Sequence, residues 1–247
     1  MQEVLRFIEQ CTARQRNNPL ITWLADETVP EQDRLMRWLP CAAPWVFGFM
    51  DLNGTLLRYA AGEARQDPYK RAINAHLDED ANHWVYYIQD LHELGLDGSL
   101  PFPDVLQFLW GDETRRQRMA TYTLTALAAS ATEPLLRYSL VLTLESLAHL
   151  VFETLRGVSE PFSRETGLEL VYIAKEHADR EPGHLTRQAD SAEAQMQAEV
   201  LDEATRRRAL DIVRRVCDAI GERWTEMFRS AQTDRYRTFL RDAGTAG

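Results

Sequence analysis

The segment from Glu133 to Arg156 limits the fold of this chain more than any other. Glu133-Pro134 reads as a helix start, and the stretch beyond it is almost entirely apolar: Leu135, Leu136, Leu140, Val141, Leu142, Leu144, Leu147, Leu150, Val151 and Phe152. A helix that is apolar all round has to be buried, so other helices must wrap this one. Glu145 and His149 sit inside the run, four residues apart, which puts them on one face. A carboxylate or imidazole in such surroundings is costly unless it is paired or bound to a metal.

Two further segments carry a common pattern. His76, Asp80 and His83 stand as His-x3-Asp-x2-His, and His177, Glu181 and His184 repeat the order with Glu. On a helix of about 3.6 residues per turn, positions i, i+4 and i+7 lie within about 60° of one face. Each segment can therefore aim two imidazoles and a carboxylate at one point. Two such segments on facing helices would form a nitrogen- and oxygen-rich cage, which suits iron or manganese better than magnesium or calcium. A lone helical histidine is more often a surface or core residue, but two copies of a three-residue pattern are a stronger signal. Glu79 is an alternative to Asp80, since it is also about one turn from His83. His92 falls outside the pattern and is expected on the surface. In the second segment Pro182-Gly183 intervenes before His184, and a proline there should kink or end the helix.

The rest of the chain also reads as helical. Only 12 glycines occur in 247 residues, and apolar residues recur at intervals of three and four. Helices are expected over about 2–16, 20–25, from 31 (with Thr28 as N-cap), 67–94, 105–110, 113–130, 134–156 (stopped by Gly157), 163–187 and 204–240, the last as one long helix or as two broken near Gly221. Pro40 and Pro44 should interrupt the apolar stretch that carries Trp38, Trp45, Phe47 and Phe49. No strand pair and no fixed-period repeat is visible. The expectation is an all-α fold in a single domain spanning 1–247, with metal-site helices at about 67–94, 134–156 and 163–187.

Composition narrows the partners. The formal net charge of −10 argues against nucleic acid and against an anionic membrane surface. No stretch reads as about 18 uncharged apolar residues, so no membrane helix is expected. Cys11, Cys41 and Cys217 are odd in number and widely spaced, which points to a reducing compartment. The N-terminus shows no signal-peptide pattern, and a cytoplasmic location is expected.

The order and spacing of these residues resemble the haem-oxygenase-like helical bundle, and within it the non-haem di-iron oxidases and oxygenases, related in fold to TenA-type and PQQ-biosynthesis proteins. The resemblance covers about residues 67–190. It implies that one helix gives a carboxylate and a histidine (Asp80 or Glu79, with His83), a later helix gives Glu145, and a third gives His177, Glu181 and His184. The chain departs from the family pattern at His76, where a Glu is usual seven residues before the His, and at Pro182-Gly183. What the resemblance implies is an O2-dependent oxidoreductase with two ferrous ions per chain (manganese being an alternative), acting on a small organic substrate of the amino acid, amine or fatty acid class. Trp45, Phe49, Trp84 and Tyr87 are candidate pocket walls. The expected partners are the substrate and O2, with a homodimer compatible with the sequence. The alternatives are a metal-free TenA-like enzyme, which would use Cys41 or Cys217 as nucleophile, a haem binder, and a non-catalytic binding protein.

Overall fold

A computed structural model describes residues 1–174 and 191–245. Side-chain caps and prolines start several of the helices. Asn18 accepts the Leu20 amide ahead of Pro19, Asp67 accepts the Lys70 amide ahead of Pro68, and Asp202 accepts the amides of Ala204 and Thr205. The elements are α1 (Gln2–Gln15), α2 (Pro19–Leu24), α3 (Glu31–Met36), a 3-10 turn (Leu39–Ala42), α4 (Ala43–Leu52) running into a π-helical turn (Asn53–Leu57), and α5 (Ala61–Ala64). They continue with α6 (Pro68–Asp80), α7 (His83–Glu93), α8 (Phe102–Trp110), a 3-10 turn (Asp112–Thr114), α9 (Arg115–Ser130), α10 (Pro134–Thr166), α11 (Ser191–Ala198), α12 (Glu203–Thr233) and α13 (Arg235–Thr245). The described residues contain no β-strand, and the fold class is all-α.

The apolar run becomes the central helix. α10 packs against α1, α2, α3, α6 and α12, and α12 also packs against α1, α2 and α9. One apolar cluster draws on residues from Met1 to Ala231. By length and composition α10 would also pass for a membrane span, contrary to the expectation from sequence, but 72% of its apolar window is buried, as in a core helix. Two glycines mark close helix crossings. A Cβ on Gly48 of α4 would stand 2.7 Å from Thr121 of α9, and one on Gly221 of α12 would stand 2.5 Å from the Gln15 side chain of α1.

The structure corrects several expected boundaries. The helix expected over 67–94 is broken at Ala81-Asn82 into α6 and α7. α10 does not stop at Gly157: it runs 33 residues, through Pro161, and ends where Gly167 turns left-handed at φ 75°. Leu155, Val158 and Phe162 carry its buried face across both breakers, so tertiary burial outweighs local propensity. Of the helix expected over 163–187, residues 163–166 belong to α10 and 168–174 are not helical. α12 continues through Gly221 and ends at Asp234, a left-handed residue. Thr28 is not a helix cap either, since its amide and hydroxyl both bond Asp26 Oδ1.

Candidate functional site

Three of the side chains expected to carry chemistry, Asp80, His83 and Glu145, line one cavity of about 90 Å³. Its walls come from the 3-10 turn and α4 (Ala42, Trp45, Val46, Phe49), the α6–α7 junction (Asp80, His83), α10 (Glu145, Ala148, Val151, Phe152), Tyr172, and α12 (Ile220, Arg223, Trp224, Met227). Most of this lining is apolar. Among the described residues, Asp80, His83, Glu145 and Arg223 are its ionisable side chains apart from the phenol of Tyr172.

The break at Ala81-Asn82 brings Asp80 and His83 together. His83 Nδ1 lies 3.3 Å from Asp80 Oδ1. Asn53, in the π-helical turn, donates through Nδ2 to Asp80 Oδ2 at 3.3 Å, while its own buried Oδ1 has no hydrogen-bond partner among the described residues. Such turns recur at functional sites. Glu145 holds its place on α10 facing the cavity, and His76 stands behind it, 3% exposed, with Nδ1 3.6 Å from Glu145 Oε1. Two of the three expected residues of the first segment thus reach the cavity, and the third touches it through Glu145.

The other candidates divide. Glu79 is exposed, so Asp80 is the carboxylate of this pair that faces inward. His149 is exposed on the outer side of α10, which corrects the expectation that it shares the interior with Glu145. Adjacent turns of a buried helix still leave one edge at the surface, and His149 occupies that edge. His92 is exposed beside Asp97, as expected. His177, Glu181 and His184 lie outside the described residues. Trp45 and Phe49 line the cavity, their rings stacked at 5.4 Å. Trp84 and Tyr87 do not: Trp84 packs on Phe47, and the buried Tyr87 hydroxyl donates to the Leu39 carbonyl at 2.8 Å.

Several residues on the cavity carried no recognised signal in the sequence. Tyr172 is wedged between Tyr87, Phe152 and His83. Its backbone is held by Asp90, whose carboxylate accepts the amides of Val171 at 2.6 Å and Ile173 at 3.0 Å. Burial pushes the Asp90 carboxyl up to about 6, against the pull of those amides. Arg223 is 8% exposed, with its guanidinium 4.1 Å from the Trp45 ring and its Nε donating to Gln117 Oε1 at 2.8 Å. Burial also lowers the Arg223 guanidinium from its ordinary value to about 9, which leaves it charged at neutral pH. The signal for Arg223 was its register: it lies three residues after Ile220 and four before Met227, on the apolar face of α12.

The chemistry of the donors suits iron, being imidazole and carboxylate. Ligand atoms about 2.1 Å from one metal stand about 3.0–3.4 Å apart, and the Asp80–His83 pair falls in that range. Among the described residues, however, no group of three or more His, Cys, Asp or Glu side chains is close enough together to hold a metal. Among the described residues the donors occur as two His–carboxylate pairs, His76 with Glu145 and His83 with Asp80.

The cysteines offer no substitute. Cys41 packs with Phe108 and Tyr236, and burial raises its thiol to about 12. Cys217 is raised as well, by burial and by neighbouring Cys11. Neither lines the cavity, so neither is an activated nucleophile for it. No family model matches the chain, and none of the curated proteins compared with it is similar in sequence.

Proposed function

We propose that this chain is a non-haem iron, O2-dependent oxidoreductase acting on a small organic substrate, built as a helical bundle of the haem-oxygenase-like kind. The observation that carries the reading is that Asp80, His83 and Glu145, from two separate parts of the chain, line one otherwise largely apolar cavity. Asp80, His83 and Glu145 would hold the metal together with His177, Glu181 and His184. Iron bound there would supply electrons to O2 and polarise it.

The chain's own residues have definable parts in this reading. His76 orients Glu145, and Asn53 orients Asp80, as outer partners of metal-binding carboxylates do. Trp45, Phe49, Val151 and Phe152 exclude water, which strengthens every charge interaction inside. Tyr172 and Asp90 close the wall beside His83.

The test is an anaerobic titration of the metal-free protein with ferrous iron. Binding of about two ions per chain, with a transient visible absorbance on mixing with O2, supports the reading. Glu145→Ala should lower the stoichiometry while far-UV circular dichroism stays that of the parent. Absence of ferrous binding by the parent protein, or full stoichiometry in Glu145→Ala, would sink it.

A further inference from the structure

Among the described residues, the cavity holds a buried cation with no carboxylate within ion-pair distance of it. That cation is Arg223, whose only hydrogen-bonded side chain among the described residues is the neutral Gln117. Asp80 and Glu145 line the same cavity but are engaged with His83 and His76. Neither terminal nitrogen of Arg223 donates to an acceptor among the described residues. A buried guanidinium without a counter-charge is costly. The chain nevertheless holds it in place, with Gln117 fixing Nε and the Trp45 ring centroid 4.1 Å from the guanidinium carbon. That clamp leaves the two terminal nitrogens for something in the cavity.

We propose that Arg223 anchors the carboxylate of the substrate, so that the cavity takes a small monocarboxylic acid with an apolar body. The planar fork of an arginine matches a carboxylate in two parallel hydrogen bonds. One guanidinium balances one negative charge. A phosphate ester would bring nearly two charges, and the cavity has no second unengaged cation among its described walls. The described lining also includes Trp224, Ile220, Met227 and Leu155, which suits a hydrocarbon chain or ring, while its carboxylates, Asp80 and Glu145, are engaged with His83 and His76. An amine would meet a like charge at Arg223. This substrate class rests on the cavity being the substrate site of the proposed oxidoreductase, but the anion binding it requires does not depend on iron.

The experiment is fluorescence titration of the metal-free full chain, with Trp45 as the reporter beside Arg223. The ligands are hexanoate, hexanol, hexylamine and inorganic phosphate. Hexanoate should bind at least about tenfold more tightly than hexanol or hexylamine, and phosphate should not compete with it. Arg223→Met should lose that preference, and Arg223→Lys should restore part of it, both with an unchanged far-UV spectrum. Equal binding of hexanoate and hexanol by the parent chain overturns the proposal without recourse to any variant, and so does retention of the preference in folded Arg223→Met. Phosphate binding more tightly than hexanoate overturns the carboxylate class. If hexanoate binds as expected but ferrous iron does not, the oxidoreductase reading fails and the anion site stands. Iron binding without selective hexanoate binding gives the reverse.

Discussion

Single residues in this chain are best understood by asking which buried charge has an answer within reach. Glu145 has His76 at 3.6 Å, Asp80 has His83 and Asn53, and Asp90 has two backbone amides. Asp90 gives a prediction whose sign can be worked out. Its carboxyl is raised from an ordinary value of 3.8 to about 6, since burial costs the charge more than the amides return. Between those values the folded chain holds a proton that the unfolded chain has released. Stability therefore falls as pH rises from about 4 to about 6, and above that window the ionised group costs of order 3 kcal/mol relative to pH below 4. Asp90→Asn should flatten this component of the pH profile. It should also weaken the hold on Val171 and Ile173, because an amide NH2 would face one of two backbone donors. Urea denaturation midpoints at several pH values, parent against variant, check both statements. Parallel profiles would show that Asp90 titrates normally in the fold.

At the level of elements, legibility followed chemistry more than boundaries. The carboxylate–histidine spacing pointed to Asp80, His83 and Glu145, and all three line the cavity, although a break at Ala81-Asn82 rather than one helical register brings His83 to Asp80, and His149, one turn from Glu145, is exposed. The helix ends were harder to read. Ala81 and Asn82 are not strong breakers, so nothing local announced the junction that turns His83 towards Asp80. Gly157 and Pro161 are breakers, and the buried face of α10 overrode them. Asn53, Tyr172 and Arg223 escaped because their roles depend on partners far along the chain. A crossing of elements supplies a further prediction. Gly48 lets α4 approach α9, where a Cβ would meet the branched side chain of Thr121 at 2.7 Å. Gly48→Ala gains about 1 kcal/mol in helix propensity but overpacks the crossing by about 1–3 kcal/mol, so the net change should be destabilising. Adding Thr121→Ala removes the obstruction, and the double variant should be more stable than the sum of the two single changes indicates. Additive denaturation free energies would mean that the crossing adjusts freely.

For the whole molecule, the central fact is that α10 serves two purposes. It is the apolar post on which α1, α2, α3, α6 and α12 pack, and it carries Glu145 into the cavity between them. A ligand that draws the α6–α7 junction and α10 together therefore stabilises the packing of the bundle, not only a local site. On the proposed reading, ferrous iron at about one hundred times its dissociation constant adds about 2.7 kcal/mol to the folded state. For a chain of this length that corresponds to a rise of about 5–10 °C in Tm. An anaerobic thermal scan with and without ferrous iron measures it. His83→Ala should abolish the rise while leaving the metal-free Tm near that of the parent, since His83 is partly exposed on the cavity wall. His149→Ala should retain the full rise, because its imidazole lies on the outer edge of α10. The two variants separate a metal effect at the cavity from adventitious binding by surface imidazoles. A rise lost in His149→Ala and kept in His83→Ala would place the ion on the outside of α10, and the cavity would then have to be read through Arg223 alone.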